Sequence, residues 1–160
     1  MGKIKTNKIE FVYSTRGGVT GASFSKVVID GYADDGGLYV PMELPKFDIS
    51  TLRRCSSYSE LAFTIYRKFI SVAEISDRDL RSITADSYKE FPANPVPVQK
   101  LKNGTFAIEL FHGPTFCFKD LGQQVLCRFI NHFLTNPRVL VASTTGDTGP
   151  AAVHAVCSLK

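Results

Sequence analysis

The sequence lacks any apolar run approaching the ~20 residues needed to cross a bilayer. Its first residues, MGKIKTNKIEFVYS, lack the apolar core of a secretory signal. There is no tryptophan, and the four cysteines, Cys55, Cys117, Cys127 and Cys157, show no C-x-x-C spacing. Without an export signal they read as reduced thiols, and a cytoplasmic location is expected. His112, His132 and His154 are far apart, and no metal is expected. The net charge of +4 comes from scattered residues with no Lys/Arg stripe interleaved with aromatics. Neither nucleic acid nor a membrane is an expected partner, whereas a small anionic ligand suits a mildly basic chain. Gly2 and Thr6 match the loose pattern for N-myristoylation, which many chains match by chance. No internal repeat or low-complexity tract is visible.

What is present is an ordinary globular composition. With 44% hydrophobic residues in 160, the chain can build one core or two small ones. Residues 1–55 are rich in glycine and turn signals, and short strands and loops are expected there. SYSELAFTIYRKFI then spaces Leu61, Ile65 and Phe69, with Tyr66 and Ile70, as a helix does. Ser76 opens a Ser-x-x-Asp pattern before a second helix carrying Leu80, Ile83 and Tyr88. FPANPVP punctuates the chain, and a domain boundary is expected near residue 92. Beyond it, VPVQKL and TFAIEL flank Asn103-Gly104, a hairpin signal. A helix with Leu121, Val125, Leu126, Phe129, Ile130 and Phe133 on one face follows. RVLVAS reads as a buried strand of a parallel sheet, leading through TTGDTGP into a last helix. This is the rhythm of an α/β layer fold, too short to cover a parallel sheet and expected to be the front of something larger.

Two loops carry chemistry. In STTGDTGPAA, Gly146 and Gly149 permit close backbone approach. Asp147 or Thr148 suits the helix cap, and Pro150 suits the first turn. Amides at a positive dipole end, with the hydroxyls of Ser143, Thr144, Thr145 and Thr148, make an anion site, or else simply a well-capped turn. In FHGPTFCFKDLGQQ, Lys119 sits where a loop becomes a helix. A desolvated lysine is a nucleophile for a Schiff base. Phe116 and Phe118 are candidates to dry such a pocket, and His112 and Thr115 to donate hydrogen bonds to an aromatic cofactor. Asp120 suits the first helical turn. The plain alternative is a snorkelling lysine beside core aromatics.

Together the motifs resemble one family. ELFHGPTFCFKD, residues 109–120, resembles the threonine synthase family's segment around its pyridoxal-phosphate lysine, and TTGDTGPAA its S-G-D-T-G loop. YSTRGG and GYADDGGLYVP are similar to its N-terminal domain. The resemblance implies an N-terminal α+β domain over residues 1–92. Residues 93–160 would then begin, incompletely, a fold-type-II α/β domain that binds pyridoxal 5'-phosphate. It implies Lys119 as the Schiff-base and catalytic lysine, with Phe118, His112 and Thr115 beside the cofactor. It implies Thr145, Gly146, Asp147, Thr148 and Gly149 as the loop for the substrate carboxylate. Asp147, whose charge would repel that carboxylate, is expected to turn away and cap the helix or bond backbone N–H groups. The expected substrate is a small phosphorylated amino acid, typically O-phosphohomoserine. Its phosphate leaves by elimination, and the product is threonine or a 2-oxo acid. The loop for the cofactor phosphate and the partner of the pyridine nitrogen are implied to lie beyond residue 160. Cys117 stands where relatives often have a small residue, and Thr145 replaces a common serine. The alternative is a non-catalytic binding protein whose open sheet edge meets a partner chain or a second copy.

Overall fold

The computed structural model describes residues 12–159, and the Gly2–Thr6 pattern lies outside them. Strand β1 (Tyr13–Ser14) pairs antiparallel with β2 (Tyr39–Val40). What joins them is Asp35. The buried Ser14 donates its hydroxyl to Asp35 Oδ1 at 2.6 Å, and the amides of Gly18 and Gly37 each donate to the same carboxylate at 2.8 Å. A Cβ at Gly37 would overlap Ser14 Oγ, so this approach requires glycine. The two glycine-rich motifs are thereby one clasp. The Ser14 hydroxyl, then the two amides, hold the Asp35 carboxyl below the usual aspartate range.

Among the described residues four helices gather on one core, and a fifth, short one buries none of its residues. Helix α1 (Phe24–Asp30), absent from the sequence reading, is capped by Ser23, which accepts from the Lys26 amide. The short α2 (Ile49–Arg53), also unforeseen, is capped by Asp48. Helix α3 (Tyr58–Tyr66) starts at Ser57. Helix α4 (Asp77–Tyr88) starts at Ser76, which accepts from the Asp79 amide and donates to its carboxylate, as the Ser-x-x-Asp pattern predicts. Leu80, Ile83 and Tyr88 are buried, with Ile70 and Ile75 beside them. Phe129 of α5 (Lys119–Phe133) enters this cluster, its ring edge-on to Phe24 at 5.1 Å and Tyr66 at 5.4 Å. The second part of the chain therefore shares a core with the first.

Strands β3 (Val98–Lys100) and β4 (Phe106–Ile108) form the expected hairpin. Asn103 and Gly104 both take positive φ, 62° and 73°, in its turn. RVLVAS corrects the reading. Residues 138–143 form no strand, and Val139 and Val141 are 89% and 90% exposed. A parallel strand is held by ladders to neighbours, and no strand among the described residues pairs with it. The apolar face of α5 is also narrower than its pattern: Leu126 is exposed, while Gln124, Cys127 and Arg128 are buried. The last helix, α6 (Thr148–Cys157), forms as expected. No helix of the described residues is long and apolar enough to cross a membrane.

Phe129→Ala is expected to cost roughly 3–5 kcal/mol by denaturant unfolding, because it empties the centre of the shared core. Asp35 makes a separate prediction. A depressed folded-state pKa contributes stability that is full above the ordinary aspartate value of about 4 and is lost as pH falls through the folded value. Asp35→Asn should therefore lower the Tm at pH 7, and the gap to wild type should close on acidification.

Candidate active site

The loop before α5 is built around Asp120, which has no solvent exposure. Its carboxylate accepts from the Thr115 amide at 2.8 Å and the Thr115 hydroxyl at 2.7 Å. Gly113 lies so close that a Cβ there would overlap Asp120 Oδ2. Phe116 takes a left-handed φ of 57° to complete the turn, its amide donating to the Gly113 carbonyl at 3.0 Å. Thus braced, the chain enters α5 at Lys119 with the side chain directed at α6.

Helices α5 and α6 lie side by side and run the same way, as three successive bonds show. Lys119 Nζ donates to Thr148 Oγ1 at 2.6 Å. Gln124 Nε2 lies 2.8 Å from His154 Nδ1. Arg128 Nη2 donates to Ser158 Oγ at 3.0 Å. Arg128 also donates to the Gln124 carbonyl and side-chain oxygen, at 2.8 and 2.9 Å. This buried polar seam carries no sequence motif; only the polar residues on an otherwise apolar face hint at it. The result is a shared mouth where both amino-terminal ends open beside Lys119. Ser23, Asp48, Ser57 and Ser76 cap α1 to α4 with their side chains, whereas neither α5 nor α6 has a side-chain cap.

Asp147 turns away, as expected, but its side chain makes no capping bond to α6, which removes one of the alternatives the sequence offered. Two residues along, the N–H of Gly149 goes to the Gly146 carbonyl at 3.3 Å, and the next residue, Pro150, has no N–H to offer. Instead Asp147 Oδ2 accepts from the Cys117 thiol at 2.7 Å, and Oδ1 lies 3.6 Å from Lys119 Nζ. The Cys117 bond, then the Lys119 charge, hold the Asp147 carboxyl below its ordinary value. Burial first, then Asp147, push the Cys117 thiol up. Cys117 was read only as a substitution for a smaller residue; its contact with Asp147 spans 30 positions.

The other expected residues separate. Phe118 stays near, with Lys119 Nζ 4.8 Å from its ring centroid, but Phe116 and Phe118 are 80% and 54% exposed. They do not dry a pocket within this chain, because no described element packs over the outward side of their loop. His112 turns to Glu109, with Nε2 and Oε2 2.7 Å apart, and stacks on Phe111. Thr115 spends its hydroxyl proton on Asp120. Thr145 and Gly146 are exposed. Gly146 has open space where a Cβ would stand; at Gly149 a Cβ would meet the Thr144 methyl at 2.6 Å.

A mixed helix–strand chain with a lysine amine at the joint mouth of two parallel helices has the architecture of the amino-terminal part of a pyridoxal-phosphate-dependent enzyme. A family model described as the "Threonine synthase N terminus" matches residues 12–88. Threonine synthase of Schizosaccharomyces pombe is 37% identical over 161 aligned positions, covering 92% of this chain and 31% of that protein. Threonine synthase-like 2 of Mus musculus is 40% identical, covering 92% of this chain and 32% of that protein. The crystal structure of a PLP-bound threonine synthase from Brucella melitensis superposes with a TM-score of 0.84 at 36% identity, over 91% of this chain and 32% of that one. The chain is thus similar to the amino-terminal part of the threonine synthases. It spans about a third of the length of the curated relatives it matches.

The two glycines should respond oppositely to substitution. Gly113→Ala forces a methyl into Asp120 and should destabilise the fold by roughly 1–3 kcal/mol, the usual range for overpacking. Gly146→Ala should leave the Tm close to wild type. Thermal unfolding of both variants checks the contrast.

Proposed function

We propose that this chain supplies the lysine and the carboxylate-binding loop of a pyridoxal-phosphate enzyme that eliminates phosphate from an O-phosphorylated amino acid. The observation that supports this above the others is the Lys119 amine, held at 2.6 Å by Thr148 across the mouth of α5 and α6. The residues present fit the cofactor. A primary amine condenses with an aldehyde, and two helix amino-terminal ends favour the anionic groups that cofactor and substrate both carry. When bound, the cofactor supplies an electron sink for charge developing at the substrate's α-carbon.

The chain's own residues do the rest. Nζ of Lys119 is the atom that takes and returns the α-proton, and Thr148 Oγ1 orients it. The amides and hydroxyls of Thr145 and Thr148 receive the substrate carboxylate, and Gly146 and Gly149, whose own amides are engaged within the turn, let the loop approach it closely. Asp147, turned toward Cys117 and Lys119, keeps its charge off that surface. Phe118 lies beside the amine. His112 and Thr115 act from the loop, Thr115 by bracing Asp120. The groups for the cofactor phosphate and pyridine nitrogen come from outside residues 1–160. Water added at Cβ gives threonine; hydrolytic release gives a 2-oxo acid and ammonia. A second reading is association with a partner chain, favoured by the outward valines at 139 and 141.

The test is to treat a full-length protein carrying residues 1–160 with pyridoxal phosphate, reduce it with borohydride and map the labelled peptides. Lys119 should carry the dominant label, and Lys119→Arg should lose it without gain elsewhere. Label spread evenly over the lysines would remove Lys119 from its role.

A further inference from the structure

We infer that Cys117 is a positioning residue of this site: its thiol proton holds Asp147 back against Lys119, so that the ligand face of the Gly146–Gly149 loop stays free of negative charge. The catalytic meaning of this clasp rests on the reading of Lys119 as the cofactor lysine; the clasp itself does not. A carboxylate at the head of a helix ordinarily turns inward to the first amides. Were Asp147 to do so, it would occupy the place proposed for the substrate carboxylate and repel it.

Three observations show what prevents this. Pro150 removes one amide target, and the Gly149 amide already bonds the Gly146 carbonyl. Cys117 is buried, and its sulfur accepts from the Lys119 backbone amide at 3.2 Å, which fixes the sulfur and leaves its proton for Asp147 Oδ2. The remaining partner is weaker. Lys119 Nζ lies 3.6 Å from Oδ1, and the Asp147 side chain is 56% exposed. An exposed ion pair of that kind seldom fixes a side chain by itself. The thiol is therefore the geometric constraint. The groups that face Asp147 are Cys117 and Lys119, with Thr148 holding the amine between them. Alanine at 117 has no proton to give. Serine keeps a donor, at slightly shorter reach.

The experiment is a carbon-13 NMR titration of the Asp147 carboxyl in this chain. In wild type it should titrate below the ordinary aspartate range. Cys117→Ala should move the midpoint upward by roughly half a pH unit or more, the loss expected for one hydrogen bond to the charged form. Cys117→Ser should stay near wild type, a rescue that mere packing at position 117 does not predict. An unmoved midpoint in Cys117→Ala, or an equal rise in Cys117→Ser, would overturn the inference. Should Cys117→Ala fail to fold, the reciprocal measurement uses the surface partner. In Asp147→Asn the Cys117 thiol should titrate lower than in wild type, followed by site-resolved alkylation against pH, and no change there overturns it equally. The two readings fail separately. An unlabelled Lys119 with the expected Asp147 titration ends the cofactor reading and leaves the clasp intact. A labelled Lys119 with an indifferent Asp147 ends the clasp alone.

Discussion

A carboxylate without solvent must find its hydrogen bonds inside the protein, and Asp120 finds them in the Thr115 amide and hydroxyl. That requirement propagates. It pins the turn that begins at Gly113, where a side chain would overlap the carboxylate. It holds Phe116 in a left-handed conformation that an L-residue adopts at a cost of about 1–2 kcal/mol. Above all it sets where α5 starts, and the next residue back is Lys119. A shift of one residue in that start would rotate the amine about 100° around the helix, away from Thr148. Placement of the Lys119 amine thus depends on a neighbour whose side chain does not touch it.

The polar seam between α5 and α6 does a related job over a longer distance. Arg128 is buried and satisfied by Gln124 and Ser158, not by a carboxylate. Cationic groups near helix carboxyl ends are favoured by the dipole, and hydrogen bonds to a charged group are worth roughly 1.5–3 kcal/mol. An apolar seam would bury more surface but slide more readily. Directional bonds at 119–148, 124–154 and 128–158 fix the register of one helix on the other. Register is what the mouth needs, because both amino-terminal ends must finish level for one amine to serve both.

Much of this was legible in the sequence, and the limits have physical reasons. The Ser76 cap and the Leu80, Ile83, Tyr88 face were readable because their signals lie within a turn or two. The 109–120 and 144–152 motifs marked the two loops. What escaped was relational. Ser23 and the Phe24, Val27, Val28 spacing were available for α1 but were outweighed by surrounding glycines. RVLVAS has strand composition, yet a strand is a property of a pair, and its neighbours are not among the described residues. Capping was one of the alternatives for Asp147, from its position at the helix start. The missing N–H of Pro150 was in plain view, but the competing thiol lies 30 residues away.

The six α-helices of the described residues divide into two kinds. Four begin with a side chain folded back on their own amides, which satisfies them locally and leaves little for a ligand. The two that meet at Lys119 begin without one. In α5 the deficit is small, because Cys117 and Phe118 take up its first amides. In α6 the candidate cap is present and is turned elsewhere. A helix that merely needed to be stable would use Asp147 as α2 uses Asp48. Here Pro150 and the engaged Gly149 amide leave it little to cap, and it turns toward Cys117 and Lys119. That local rule is broken where the chain holds the Lys119 amine against a second helix start, and such departures concentrate where a fold has something to bind.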